Sequence, residues 1–401
     1  MKIIDIITSD MHQLHGANKV TEKLIMGQKY FKENGFYLRY VFSQDGIIEC
    51  KDYKQSKLGV HLSTSKYKRK RKIINTLKKI PIYQSVFVQK IIVNKEIYAN
   101  NRICKYFDSV KIKPDIIIFQ DPYAAICFMG KIPNRNKTVF ISHADTDPLE
   151  HLLMGRPCIQ GTTVEKNIRI KFDALFKWVN HVVTICKSSK EYMKNVYGLD
   201  CSCIINGIED IKVDIKKKYS ELDNNIHIAI VASIQRRKGQ EIAVRALADV
   251  SEQERKKIKL HIFGDGDEFE NLKLLIEKSN LKKNVILYGA ILDVEKYLPL
   301  MDVFMLPSRA DTVPVAIIEA MRAGLPIFAS NVGEIPDMIG GCGKLIEPTL
   351  ESVRYLYMDL LKENYNLQEL GNKSREKFLK EFQLSAMIDK YSIVLNKISN
   401  R

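Results

Sequence analysis

Short apolar runs recur along this chain, separated by stretches whose apolar positions fall at helical spacing. The first run, KIIDIITS at 2–9, reads as a buried strand, and 17–34 follows as a helix ending at Asn34-Gly35. PDIIIFQ (114–120), KTVFIS (137–142), HVVTIC (181–186) and CSCIIN (201–206) continue the series. The rhythm then repeats: IHIAIVAS from 226, a helix from 239, IKLHIFG from 258, a helix from 267, NVILYG from 284, DVFMLPS from 302, a helix from 314, and LPIFAS from 325. Apolar strands alternating with helices predict βαβ units and parallel sheets.

Two such series predict an α/β protein of two Rossmann-like domains, 1–205 and 226–380, joined by the polar stretch 206–225. Residues 381–401 follow as a final element, with an amphipathic helix over about 383–398 and no strand after it. A length of 401 residues suits two domains. Apolar content of 45% and charged content of 27% are those of an ordinary globular chain. No run approaches the roughly 18–20 apolar residues of a membrane span. MKIIDIITSD carries acids and no long apolar core, so it does not read as a signal peptide. The eight cysteines are scattered, without a CxxC or Cys/His ladder, which points to reduced thiols in a cytoplasmic protein and to no zinc site.

Charge changes the picture of the first half. The chain carries +16 overall, yet residues 207–401 hold 29 basic and 29 acidic residues and balance to zero. Residues 51–113 hold 17 basic and 3 acidic residues, a local excess of +14, and read as a basic insertion. Within it Lys68, Arg69, Lys70, Arg71 and Lys72 adjoin Ile73, Ile74 and Leu77, a cationic face beside an apolar stripe. Such a helix suits an anionic membrane interface. Nucleic acid is the rival partner, but no recognised binding module accompanies the charge, so none is expected. A solvated basic face is the plain alternative.

In open parallel sheets ligands bind at the carboxyl ends of the strands. Three loops there stand out in the second half. ASIQRRKGQ places Arg236, Arg237 and Lys238 before a glycine and a helix, which suits a diphosphate or merely makes a basic turn. FGDGDEFE carries a lone GxG, explained equally well by a tight turn. SRADTVPVAIIEA sets Asp311 before a helix that starts with Pro314 in its first position, and Glu319 inside it. Five residues from Pro314 to Glu319 are about 7–8 Å of helix. Ionised carboxylates only accept hydrogen bonds, so sugar hydroxyls suit them and phosphates do not. The pattern fits a nucleotide sugar, with Glu319 at the ribose, Asp311 at the hexose, and the helix start with Lys238 and an arginine at the diphosphate.

The stretch PSRADTVPVAIIEAMRAGLPIFASNVGEIPDMI resembles the retaining glycosyltransferases of family 4, whose signature is E-x7-E running into EAMAxGxPV and VGGxPEII. NGIED at 206–210 is similar to the family's hinge, and HQLHGANKVTEKLIMGQKYFKENG to its N-terminal GGAE segment. The resemblance implies the GT-B fold, two Rossmann-like domains facing across a cleft, with the C-terminal helix returning to the N-terminal domain. It implies a donor site of Gly16, Arg236, Arg237, Lys238, Asp311, Thr312, Val313, Pro314, Val315 and Glu319, with His143 and Asp311 beside the reacting hexose. It also implies retention of configuration by front-face attack, the leaving phosphate taking the acceptor's proton. Three departures stand out: Asp311 replaces the first glutamate, Ser233 replaces an arginine, and His15-Gly16 and Gly333-Glu334 replace glycine pairs.

These readings converge on a hexosyl or N-acetylhexosaminyl transferase using a nucleotide sugar, UDP in the first instance. Its acceptor is expected to be lipid-linked or at the cell surface, and the protein peripheral at the inner face of the plasma membrane, alone or beside other glycosyltransferases. An accessory, non-catalytic subunit is the alternative, and an epimerase or phosphorylase a further enzyme reading. Asp145-Thr146-Asp147 is a triplet that holds a divalent metal in the other large glycosyltransferase fold. A cationic diphosphate site in a two-domain chain argues instead for a reaction without metal or other cofactor.

Overall fold

A computed structural model describes residues 1–8, 21, 23–42, 46–49, 85–99, 104–105, 107, 112–129, 131, 137–154, 156–211, 218–291 and 293–400. Gly16 and the cationic stretch 68–77 lie outside the described residues. The chain divides into two units, one of 1–205 with 387–401 and one of 206–386.

The first unit is built on β1 (Lys2–Thr8), α1 (Gln28–Glu33), β2 (Phe36–Phe42), β3 (Gly46–Glu49), α2 (Val86–Ala99), β4 (Ile116–Phe119), α3 (Pro122–Phe128) and β5 (Thr138–Ser142). It continues through α4 (Pro148–Met154), α5 (Thr163–Trp178), β6 (His181–Thr184), α6 (Lys187–Tyr197) and β7 (Ser202–Cys203). The strands lie in the order β3-β2-β1-β4-β5-β6-β7. All neighbours run parallel except β2 and β3, which pair antiparallel. The expected parallel sheet thus gains an antiparallel edge. Both faces are covered, so β4 and β5 are buried throughout and consist of apolar and small residues.

The second unit comprises β8 (Ile226–Val231), α7 (Gln240–Ala248), β9 (Ile258–Phe263), α8 (Phe269–Lys278), β10 (Val285–Gly289), β11 (Val303–Leu306) and α9 (Val315–Arg322). It is completed by β12 (Ile327–Ser330), α10 (Ile335–Ile339), β13 (Gly343–Ile346), α11 (Leu350–Leu361) and α12 (Leu367–Lys377). Helix α13 (Leu384–Ser399) closes the chain. The strand order is β10-β9-β8-β11-β12-β13, all parallel. Ile228, Ile230, Leu260, Ile262, Val303 and Met305 meet Ile242, Val244 and Leu247 of α7 in the core. The order reverses between β8 and β11, and the crevice beyond those two strand ends is where such a sheet binds ligands.

Residues 206–211 and 218–225 of the stretch read as a linker belong to this second unit. The Ile208 amide donates to Phe382 O at 2.9 Å and the Leu384 amide to Ile208 O at 2.9 Å. Arg375 grips Asp210 with two bonds of 2.7 Å, and Arg322 Nη1 donates to Glu209 O at 3.1 Å.

A hydrogen-bonded relay crosses β8, β9 and β10. His227 Nε2 is 3.0 Å from Asp223 Oδ1, its Nδ1 is 2.8 Å from His261 Nε2, and His261 Nδ1 is 2.9 Å from the Tyr288 hydroxyl. With both rings neutral, one proton arrangement satisfies all three bonds: Tyr288 donates to His261, His261 to His227, and His227 to Asp223. Burial, with His227 adding to it, pushes the His261 imidazole down to about 4. Between that value and the ordinary one near 6.5 the unfolded chain binds a proton that the folded chain refuses. Stability therefore falls as pH drops through this window, by about 3 kcal/mol in all. His261→Gln is expected to flatten the dependence of urea unfolding between pH 7 and 4; an unchanged slope would refute the assignment.

Candidate functional site

The turn 232–239 leaves the end of β8, and the loop 307–314 leaves the end of β11, so the two flank the crevice of the second unit. Arg309 stitches them together: its amide donates to Arg237 O at 2.8 Å, and its side-chain Nη1 to Arg236 O at 2.6 Å. Arg309 Nη2 also pairs with Glu241 of α7 at 2.6 Å. Two glycines fix how closely the loop 307–312 is held. A Cβ on Gly239, which has φ +71°, would stand 1.9 Å from Pro307 O. One on Gly333, with φ +55°, would stand 2.0 Å from Asp311 O. Each combines a left-handed backbone with an approach no side chain tolerates.

Held in this frame, Lys238 and Asp311 form an ion pair, Nζ against Oδ2, with side chains 10% and 9% exposed. Burial pushes the Lys238 ammonium below its ordinary value, Asp311 opposing the shift and Arg237 adding to it. The Ser308 hydroxyl lies 3.4 Å from the same carboxylate oxygen. The two groups expected at a diphosphate and at a hexose thus neutralise each other across the crevice. The pairing follows from burial, since a charge taken out of water at this depth is costly unless a counter-charge meets it.

Arg236 and Arg237 occupy a 3₁₀ turn with Lys238 and are exposed. Arg237 donates to Gln235 Oε1 at 3.1 Å and reaches Ala310 O at 3.4 Å, while the Arg236 guanidinium has no partner among the described residues. Ser233 is exposed.

Pro314 is not the first helical residue. It has φ −70° and ψ 111°, stands outside the helix as its cap, and α9 starts at Val315. No side chain caps this helix, so its first N–H groups are left to the crevice and favour an anion. Val313 and Pro314 are buried, Thr312 and Val315 half-buried, and Thr312 O accepts from the Glu334 amide at 3.0 Å. Glu319 lies about one turn along α9. Its carboxylate makes no hydrogen bond among the described residues and lines an open cleft of about 690 Å³ with Glu295, Leu298, Arg322 and Gln368. Ile317, Ile318, Ala320 and Met321 bury the other faces of the helix.

In the first unit His143 follows the end of β5 and is half-buried. Its Nε2 is 2.6 Å from Oε1 of Gln120, which follows β4. The Gln120 side chain is the orienting partner that the apolar run PDIIIFQ conceals, and Arg309 is likewise hidden between a proline and the acid. Asp147 is committed to the fold: it accepts from the Leu149 amide at 2.9 Å and from Arg169 Nη1 at 2.9 Å. Among the described residues no group of three metal-ligating side chains comes together.

Residues 212–377 match the family Glycosyl transferases group 1. This stretch contains Lys238, Asp311 and Glu319. The second unit is a glycosyl transferases group 1 domain. Curated relatives include the O-antigen biosynthesis glycosyltransferase WclY of Escherichia coli, 22% identical over 56% of this chain and 64% of its own. Another, from the same organism, is UDP-Gal:alpha-D-GlcNAc-diphosphoundecaprenol alpha-1,3-galactosyltransferase, 28% identical over 45% of this chain and 53% of its own. The chain thus spans between half and two-thirds of each of these relatives. Among solved structures, Anabaena HepE in complex with UDP-glucose superposes with a TM-score of 0.67 at 16% identity, covering 99% of this chain and 100% of that one. Sucrose-phosphate synthase from Thermosynechococcus elongatus reaches 0.72 at 16% identity, covering 99% of both. The fold of this chain is therefore GT-B, two Rossmann-like α/β domains.

Proposed function

We propose that the chain is a retaining glycosyltransferase that moves a hexose or N-acetylhexosamine from a nucleotide sugar, UDP first among the nucleotides, to a lipid-linked or cell-surface saccharide. The observation that carries this reading is the pairing of Lys238 with Asp311 at the switch point of the second sheet, with the Glu319 carboxylate facing the cleft further along α9. Departure of the diphosphate builds negative charge beyond β8 and β11. Arg236, Arg237 and the open start of α9 stand ready to stabilise it, and Lys238 joins them when a hexose hydroxyl draws on Asp311. Glu319 accepts from the ribose, and His143, steadied by Gln120, orients the hexose. Gly16 would approach the phosphates, and no metal is required by this charge balance.

The relatives' names, O-antigen biosynthesis and a diphosphoundecaprenol acceptor, support a saccharide acceptor on a lipid carrier. Among the described residues no helix is long and apolar enough to cross a membrane, and we place the protein at the inner face of the plasma membrane as a peripheral component. Partnership with other glycosyltransferases would follow from sharing a lipid-linked substrate. Ser233, standing where the family has an arginine, favours the accessory reading as the competitor.

A screen of nucleotide sugars by release of free nucleotide decides between the two. One donor should turn over with and without a chelator, and Glu319→Ala should reduce turnover about 10- to 100-fold, the worth of a hydrogen bond or two to a charged group. Turnover unaffected by Glu319→Ala would remove the donor-site assignment, and turnover abolished by the chelator would remove the metal-free one.

A further inference from the structure

Helix α2 reads VFVQKIIVNKEIYA, with apolar residues around its circumference. One side is used by the fold: Gln89 and Val93 are 5% and 2% exposed, and Val93 packs in the core that contains Ile126 and Phe128. The adjoining side is open. Phe87 is 72% exposed, Ile91 51% and Val86 38%, and Lys90 is exposed among them. Positions 86, 87, 90 and 91 form one continuous stripe at helical spacing. A helix apolar on every side belongs in a core or a lipid environment, and within 86–94 only one side has found a core.

We propose that the Val86/Phe87/Ile91 stripe of α2 seats the protein in the interface of an anionic lipid membrane, with Lys90 extended toward the headgroups. The inference rests on the reading that the acceptor is lipid-linked and names the surface that reaches it. Charge selects the occupant. The stripe lies in the segment 51–113, whose 17 basic residues face only 3 acidic ones, a density suited to a laterally extended anionic surface. A second copy of the chain would bring two segments of +14 together and be repelled. The aromatic and β-branched side chains enter at the acyl boundary, while a lysine within the stripe can lay its stem on the lipid and keep its ammonium in the headgroup layer.

The test is co-sedimentation with phosphatidylcholine vesicles prepared with and without phosphatidylglycerol. The wild type should bind only the anionic vesicles, less so as salt rises, and Phe87→Ser/Ile91→Ser should weaken binding at least about tenfold. Both side chains are exposed, so the variant should keep its melting temperature and its turnover of soluble donor. Binding of the variant equal to wild type, or no binding of wild type to anionic vesicles, overturns the proposal while leaving the donor reading standing. So does a dimer, seen by light scattering, that the double substitution dissolves. Loss of donor turnover in the wild type with vesicle binding intact would instead overturn the catalytic reading.

Discussion

Lys238→Met is expected to reduce donor turnover by about 100- to 1,000-fold, the range seen when one donor to a developing negative charge is removed. The reasoning starts from burial. The ammonium is 10% exposed at the end of β8, beside the open start of α9 and the exposed arginines of the same turn. A charge at that depth acts through little screening solvent, so it contributes more than either exposed arginine. Arg236→Ala and Arg237→Ala should therefore each cost less than Lys238→Met, and the difference should appear in kcat rather than KM. The measurement is nucleotide release under saturating donor. Equal losses from all three substitutions would mean that the lysine has only a structural part.

The second large effect is on stability. Asp311→Ala leaves the buried ammonium without its partner, and removing one member of a buried pair costs about 3–5 kcal/mol. The lysine has an escape, because burial already holds its pKa below the ordinary value: it can give up its proton. The loss measured by urea unfolding should then be greatest at neutral pH and shrink as pH rises, since a neutral amine needs no counter-charge. Lys238→Met/Asp311→Leu, which replaces both charges with apolar groups, should recover most of the stability and none of the activity. If the double substitution is as unstable as Asp311→Ala, the pair holds the loop 307–312 by geometry rather than by charge.

The sheets were legible wherever strands are buried on both faces, because only unbroken apolar runs satisfy that environment. DVFMLPS and IHIAIVAS announce β11 and β8 for this reason. β2 is hidden in FYLRYVF because Arg39 interrupts it, and the interruption is compensated by Asp5 on β1, bonded to it at 2.6 and 2.9 Å. β13 is hidden because its Lys344 and Leu345 are exposed at the sheet edge. The members of the donor site were legible one by one, through residue type and the loops they occupy. Their mutual neutralisation was not, since Lys238 and Asp311 are 73 residues apart and meet only across the crevice between β8 and β11. Gln120 behind His143 was invisible for the same reason.

The division of the chain has a consequence for its synthesis. The first unit needs residues 387–401, which are made only after the whole of 206–386. Ile388, Tyr391, Leu395 and Ile398 of α13 are buried, and a Cβ on Gly27 would meet Ile388 at 2.7 Å. On the ribosome the unit that begins first is therefore completed last. Until α13 emerges, the apolar surface that will receive it stays uncovered, while the second unit has every strand it requires. Nascent chains stalled just short of α13 should accordingly be protease-resistant from residue 206 onward and sensitive before residue 205, and such chains are natural clients for chaperones that shield exposed apolar surface.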